Sequence, residues 1–510
     1  MFEKILVANR GEIAVRVIRA CREMGIQTVA IFSDVDRDGL HVRFADEAYH
    51  CGPPPARESY LRMERVVEIA RRSGADGIHP GYGFLAENGE FADLCQREGI
   101  GFIGPSGDVM RAMGDKVTAR QTMERAGVPI VPGTTRALSD EEAVAFAKEI
   151  GFPVMVKASA GGGGKGMRLV RKQKELTQAL ARARGEAKAS FGDDALYVEK
   201  FVEQPRHIEI QVLADTHGNT LHLFERECSI QRRHQKVIEE APGNGISPEL
   251  RERMGKAAVA AAEAVGYVGA GTCEFLVDRN DDFYFLEMNT RVQVEHPITE
   301  AITGVDIVKA MIRAAAGEPL GLRQSDLRIH GHAIEARIYA EDPDQGFVPS
   351  PGEIVVYRPP DGIGVRVDSG VYQGASVTVH YDPMVGKLIA WGADRSEAIE
   401  RLKRALSEFV VKGIRTSIPF HQKVLRHPVF LKGRYDTGFI EEHMDGGKGG
   451  AELLAGDEEA RRVAFMLAAI AAFRRDKSRA KRASAAAPGA GAGDPWKDFA
   501  RRSQLRGSFR

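Results

Sequence analysis

The tightest constraint on the fold lies at residues 272–296, TCEFLVDRNDDFYFLEMNTRVQVEH. Two apolar runs flank Arg279-Asn280-Asp281-Asp282, the pattern of an antiparallel hairpin. If the hairpin centres on Asn280 and Asp281, Glu274 sits opposite Glu287. Opposed Cβ atoms in such a pair are about 4.5–5.5 Å apart, and like charges there repel unless something neutralises them. Asn289 shares the face of Glu287 because strand side chains alternate with period two. Two carboxylates and an amide oxygen are hard ligands that suit magnesium or manganese bridging phosphates. The alternative is a solvated strand face. The alternation continues through Arg291, Gln293 and Glu295. An arginine fork can hold a small planar oxyanion, and a glutamate beside it can take that anion's proton.

A second constraint is VMVKASAGGGGKGM, residues 154–167, four glycines between two strand-like runs. A dinucleotide fingerprint should open a helix, and a Walker A loop needs Ser or Thr after its lysine, where this chain has Gly166. A strand, a glycine loop and a strand remain, read either as a surface turn or as a lid whose bare N–H groups wrap phosphates. Upstream of the hairpin, His207, Glu209 and Gln211 alternate against Ile208, Ile210 and Val212 as the polar face of one strand. Residues 225–236, ERECSIQRRHQK, are dense in Gln, His and Lys and read as a solvated loop or as part of a site.

With 510 residues the chain should form several domains. Lys plus Arg and Asp plus Glu both count 71, so no bulk charge points to nucleic acid or a membrane surface. Phe2 to Ala8 reads as a first strand, not a signal or transit peptide, and the apolar run Val463 to Phe473 is too short to span a bilayer. Five cysteines without a C-x-x-C pair suit a reducing cytoplasm, and Cys228 reads as a buried bystander.

Residues 1–113 alternate apolar runs (Ile5 to Ala8, Thr28 to Phe32, Gly77 to His79, Gly101 to Ile103) with helical stretches (Glu12 to Met24, Tyr60 to Arg71), which predicts a parallel α/β sheet. Residues 114–330 mix helices with alternating strands. A third block, 331–446, has strand-like alternation at Ala333 to Tyr339, Val365 to Asp368 and Ser376 to His380, with a helix from Ser396 to Phe409. Residues 447–510 read as a helix capped by Asp457, a flexible linker and a basic tail.

Over residues 1–446 the chain resembles the biotin carboxylases, the ATP-grasp subunits of biotin-dependent carboxylases. The resemblance rests on ILVANRGEIAVRVIRA at the start, HPGYGFLAEN at 79–88, GGGGKGM at 161–167, EKFVEQPRHIEIQ at 199–211, CSIQRRHQK at 228–236 and EMNTRVQVEHPITE at 287–300, in that order. It implies an N-terminal parallel α/β domain, an ATP-grasp domain with a mobile lid at about 130–204, and a mainly antiparallel β C-terminal domain. Carried over by position, Lys116, Lys157, Gly163, Gly164, Glu199, Lys200, Phe201, Val202, His207, Gln231, His234, Glu274 and Glu287 would contact ATP. Glu274, Glu287 and Asn289 would hold two magnesium or manganese ions. Lys236, Arg291, Gln293 and the Val294 backbone would bind bicarbonate, with Glu295 the general base. Arg337 would stabilise the enolate of biotin, with Tyr82 its neighbour.

No Met-Lys dipeptide, the usual site of biotinylation, occurs in the sequence, so biotin is expected on a separate carrier protein. Carboxyltransferase subunits are the other expected partners, with the tail recruiting one of them. The resemblance further implies a cytoplasmic homodimer, with Arg19, Glu23 and Arg366 as candidate contacts, serving acetyl-CoA carboxylase or a propionyl-CoA, other acyl-CoA or pyruvate carboxylase. A non-catalytic ATP-binding scaffold is the rival from another class.

Overall fold

The computed structural model describes residues 1–134, 138–158, 167–191, 195–233 and 235–444, with only the backbone of Lys116, Ala158, Met167 and residues 189–191. The apolar runs near the N-terminus form five parallel strands: β1 (Lys4–Val7), β2 (Gln27–Ser33), β3 (Glu47–Gly52), β4 (Gly77–His79) and β5 (Gly101–Phe102), in the order β3-β2-β1-β4-β5. Ile5, Leu6 and Val7 are wholly buried, as a central strand covered by helices on both faces demands. The edge strand β3 has no apolar run to announce it, since EAYHCG is half exposed. The expected helix at Tyr60 begins instead at Met63, because Tyr60 is buried and donates its hydroxyl to Asp36 at 2.5 Å. After β4, Asn9 Nδ2 donates to the carbonyls of Pro80 and Tyr82, both at 2.7 Å. Gly81 sits over that amide at φ +66°, and a Cβ there would meet Asn9 Nδ2 at 2.9 Å, which excludes a side chain.

A second sheet carries eight antiparallel strands. Five come from the middle block: β9 (Arg206–Ala214), β10 (Thr220–Arg232), β11 (Gln235–Ala241), β12 (Gly269–Val277) and β13 (Phe283–Asn289). The third block adds β14 (His332–Tyr339), Met384–Gly392 and Val365–Ser369, so the sheet runs unbroken from β13 through β12, β9, β10, β11 and β14 to the Val365–Ser369 edge. The Met384–Gly392 strand was not anticipated from sequence, and the run expected from Ser376 to His380 is a strand only at Ser376–Val377. One face of the sheet is apolar: Ile208, Ile210, Val212, Cys273 and Phe275 pack against the helix Pro248–Ala264. The other face is polar along its middle, and its far end (Leu213, Leu221, Leu223, Ala270) packs on Ile13, Val17 and Met311. Residues 225–236 are therefore not a solvated loop: Glu225 to Ile230 are buried in β10, and β11 begins at Gln235.

The strands on either side of the glycine-rich stretch pair: β6 (Val154–Ala158) runs antiparallel to β7 (Met167–Val170), Val154 opposite Val170, and β6 also pairs with β8 (Leu196–Lys200). Helices Asp140–Ile150 and Gln173–Phe191 cover this sheet through a core of its own that includes Ala147, Val156, Leu180 and Val198. The glycines at 161–164 and the segment from 445 onward, including the predicted tail helix and linker, lie outside the described residues.

Candidate active site

The register places Glu287 and Asn289 of β13 opposite Glu274 and Thr272 of β12, and these beside Glu209 and Gln211 of β9. Arg226 of β10 lies opposite Glu209. Wholly buried, Arg226 donates to Glu209 Oε1 at 2.5 Å, Gln211 Oε1 at 2.7 Å, Thr299 Oγ1 at 2.9 Å, Gln293 Oε1 at 3.0 Å and Thr272 Oγ1 at 3.2 Å. A guanidinium satisfied this fully is a rigid anchor. It ties three strands to the helix His296–Thr303 and to the segment before it.

Glu295 caps that helix and is buried, with both carboxylate oxygens engaged. Lys236 Nζ donates to Oε1 at 2.7 Å, and Arg337 Nη2 donates to Oε2 at 2.9 Å. Burial opposes its ionisation, but Lys236, Arg337 and Arg226 outweigh it and hold Glu295 well below the usual carboxylate range. Lys236 also donates to Glu209 at 2.5 Å and to Glu274 at 2.8 Å, and Arg337 Nε donates to Glu239 at 2.5 Å. Glu239, buried beside Glu295, is pushed up to about 7, with Arg337 opposing that rise.

At the candidate metal corner, Glu274 accepts from Lys236 and from Gln293 Nε2 at 2.7 Å, and its other oxygen lies 3.1 Å from His207 Nε2. Burial again opposes ionisation, and Lys236 and His207 hold Glu274 below its ordinary value. Glu287 behaves oppositely: burial, Glu274 and Glu87 push it up. Carboxylates crowded this way, with the Asn289 Oδ1 oxygen on the same face, fit a hard divalent cation, which would relieve the repulsion.

On the three-stranded sheet, Lys157 and Glu199 form an ion pair from adjacent strands, and Arg120 Nη1 reaches Glu199 at 3.3 Å. Lys200 Nζ donates to the carbonyls of Gly151 and Phe152 at 3.0 and 3.1 Å. Phe201 and Val202 form the strap from β8 toward β9, fixed by Phe201 N on Pro153 O at 3.0 Å. A cavity of about 570 Å³, lined by Gln204, Arg206, Asn244 and Tyr435 among others, opens just beyond this strap, away from Glu295.

Three family models match the chain in sequence order: the biotin carboxylase N-terminal domain at residues 1–110, the carbamoyl-phosphate synthase L chain ATP-binding domain at 115–323, and the biotin carboxylase C-terminal domain at 335–442. Biotin carboxylase 1 of Bacillus subtilis is 55% identical over 445 residues, covering 87% of this chain and 99% of its own.

The chain belongs to the biotin carboxylase family.

It is similar to a pyruvate carboxylase subunit of Methanothermobacter thermautotrophicus at 58% identity, over 88% of this chain and 91% of that one. The biotin carboxylase domain dimer of Hydrogenobacter thermophilus 2-oxoglutarate carboxylase, solved with MgADP, ADP and bicarbonate, superposes with a TM-score of 0.79 at 51% identity, over 87% of this chain and 98% of that one. Biotin carboxylases are a family of ATP-dependent carboxylating ligases.

Eight of the residues singled out from the sequence lie together here. Lys236, Glu274, Gln293, Glu295 and Arg337 form one hydrogen-bonded network, with His207 Nε2 3.1 Å from Glu274 and with Glu287 and Asn289 at its edge. Arg291 stands apart from Glu295, bonding to Glu87 at 2.9 Å and Asn289 at 2.8 Å. The Tyr82 hydroxyl bonds to Glu12, not to Arg337. Gln231 Nε2 donates to its own strand at Cys228 O, 2.8 Å. Gly163, Gly164, His234 and the Lys116 side chain lie outside the described residues. Cys228 is buried and free, as are the other four cysteines. Sequence reasoning did not assign Glu87, Arg226, Glu239 or Lys387 to the site. Their partners are remote in sequence, and of the four only Lys387 is a single charge among apolar neighbours.

Proposed function

We propose that this chain carboxylates biotin with ATP and bicarbonate, supplying the first half-reaction of acetyl-CoA carboxylase to biotin on a separate carrier. The observation that carries it is Glu295, held by Lys236 on the side of the metal corner and by Arg337 on the other. Bicarbonate binds to Arg291, Lys236, Gln293 and the Val294 backbone. Its negative charge competes with Glu295 for Lys236, and each contact transferred raises the basicity of Glu295. Glu295 then takes the bicarbonate proton as the oxygen attacks the γ-phosphorus of ATP and the bond to ADP breaks. Glu274, Glu287 and Asn289 would hold magnesium or manganese, which when bound offsets phosphate charge. The carboxyphosphate formed breaks down to CO₂ and phosphate. The phosphate accepts the N–H proton of biotin's ureido ring, Arg337 stabilises the oxyanion left on that ring, and its nitrogen attacks CO₂. Lys157, Lys200 and Glu199 to Val202 place the nucleotide under the lid, with Lys116, Gly163, Gly164, His207, Gln231 and His234 on its phosphates and sugar side, and Tyr82 borders biotin.

A homodimer is part of this reading, with Arg19, Glu23 and Arg366 at the contact. Within one chain Glu23 pairs with Lys309 at 2.6 Å and Arg366 with Glu300 at 2.7 Å. A cytoplasmic location is supported by five free cysteines, and no helix among the described residues is long and apolar enough to cross a membrane. The relative named for pyruvate carboxylase favours a second reading of the acceptor, pyruvate or another acyl-CoA.

Phosphate release from ATP tests the half-reaction. With magnesium and bicarbonate, biotin raises the rate in the wild-type chain, and Glu295→Gln or Arg337→Ala abolishes the stimulation. Stimulation that survives in both variants refutes the assignment. Carboxylation of acetyl-CoA, propionyl-CoA and pyruvate by the co-purified complex then decides the acceptor.

A further inference from the structure

Lys387, in the middle of the strand Met384–Gly392, is wholly buried, yet none of the roles above uses it. Its ammonium donates to the carbonyl of Val294 at 2.6 Å and pairs with Glu12 Oε1 at 3.3 Å. The same Glu12 oxygen accepts the Tyr82 hydroxyl. Asp368 lies directly across the strand pair, and Arg337 lies across the other. Glu335, on the neighbouring strand, is buried with neither carboxylate oxygen hydrogen-bonded. Taking a lysine out of water here is costly, and satisfying one carbonyl would need only a neutral donor. Glu12 and Asp368 balance that charge, and the hydrogen bond to Val294 couples it to the peptide it touches.

We infer that Lys387 is a positioning residue for bicarbonate: it clamps the 294–295 peptide and thereby sets both the backbone donor and the base that face the anion. In a trans peptide the N–H points opposite to the carbonyl. Gripping the Val294 carbonyl from beneath thus turns the Glu295 N–H away from Lys387 and fixes the torsion that orients the Val294 N–H. The Glu295 side chain leaves the same peptide toward Lys236 and Arg337. Through Glu12, on the helix Gly11–Glu23, the clamp also joins Tyr82 to the bicarbonate segment, so the two substrate sides are held by one ammonium. The inference rests on the reading of Val294 as a bicarbonate contact.

The test is steady-state phosphate release in the presence of biotin, titrating bicarbonate and ATP separately, for Lys387→Met, Lys387→Gln and the double variant Lys387→Met/Glu12→Gln. The double variant removes a buried cation and a buried anion together, so it tests the clamp even if Lys387→Met alone fails to fold. The expected result is a KM for bicarbonate raised about 10-fold or more, with the KM for ATP within about 2-fold of wild type, since a buried hydrogen bond from a charged donor is lost. Lys387→Gln, which keeps an N–H donor, recovers part of that loss. A purely structural role would lower kcat or raise both KM values together, and either pattern overturns the inference. Arg291→Ala, measured alongside, must raise the bicarbonate KM. An unchanged value there overturns the placement of bicarbonate and the clamp with it, whereas a raised value for Arg291→Ala with unchanged values in the folded Lys387 variants overturns the clamp alone.

Discussion

A general base needs a carboxylate that is ionised before substrate arrives and more basic once it is bound. Glu295 meets the first condition through Lys236, Arg337 and Arg226, which outweigh its burial and keep its affinity for protons below the ordinary 4.5. Because the shift is downward, the base form persists as pH falls and is lost only below that value. The expected outcome is a kcat/KM, expressed per bicarbonate ion, that shows no inflection from Glu295 between about pH 8 and about pH 5. Glu295→Gln should lower kcat by roughly 10²–10⁴-fold at every pH in that window. An inflection between about pH 6 and about pH 7 that moves in Glu295→Asp would contradict the electrostatics. Glu295 stands out in the sequence through an alternation with Asn289, Arg291 and Gln293 that the structure does not keep, since β13 ends at Asn289 and residues 290–295 leave the strand. Lys387 does not stand out, because a lone cation in an apolar strand has no period and its partner Glu12 lies far along the chain; Arg226, between Glu225 and Glu227, is hidden because partners such as Thr299 are remote in sequence.

At the scale of the element, the β12–β13 hairpin has the pairing expected at Glu274 and Glu287, by a route the sequence did not disclose. Next to the turn, Val277 pairs with Phe283 and Phe275 with Phe285, one residue tighter than a centre on Asn280 and Asp281 implies. A bulge then inserts Leu286, and beyond it Glu274 meets Glu287 and Thr272 meets Asn289. Period two alone would put Phe285 and Glu287 on one face. The bulge turns the strand between them, so Phe285 joins the core while Glu287 faces the metal corner. Adjacent residues should therefore respond differently. Phe285, only 6% exposed, should cost about 3–5 kcal/mol when changed to Ala. Leu286, 46% exposed, should change stability by no more than about 0.5 kcal/mol when changed to Ser. Urea midpoints of the two variants check this, and comparable losses would mean that Leu286 packs in the core. The glycine hairpin was legible for the simpler reason that β6 and β7 pair without a bulge.

At the scale of the whole molecule, the eight-stranded sheet crosses from the middle block into the third block between β11 and β14. The three-block reading of the sequence could not show this, since Met384–Gly392 pairs with β14 from a distant part of the chain. Glu240 fastens that crossing. It is buried and accepts from His332 Nε2 at 2.6 Å, from Arg395 at 2.7 and 3.1 Å, and from the Tyr435 hydroxyl, joining β11 to β14, to the helix Arg395–Glu408 and to the final segment. Burial opposes its ionisation, but His332 and Arg395 outweigh it and pull it down to about 2 from 4.5. A carboxyl depressed in the folded state stabilises above its unfolded value, and that contribution fades as pH falls through the folded one. The shift corresponds to about 3 kcal/mol at neutral pH, present above 4.5 and lost toward about 2. Glu240→Gln removes the charge and leaves Arg395 buried against a neutral amide. The variant should be less stable than wild type by about 3 kcal/mol at about pH 7, and the gap should close steadily below about pH 4.5. Urea unfolding of both proteins across that range measures the gap. A difference that stays constant with pH would show that Glu240 acts through its hydrogen-bond geometry and not its charge, and that the crossing is held mainly by the strand ladder between β11 and β14.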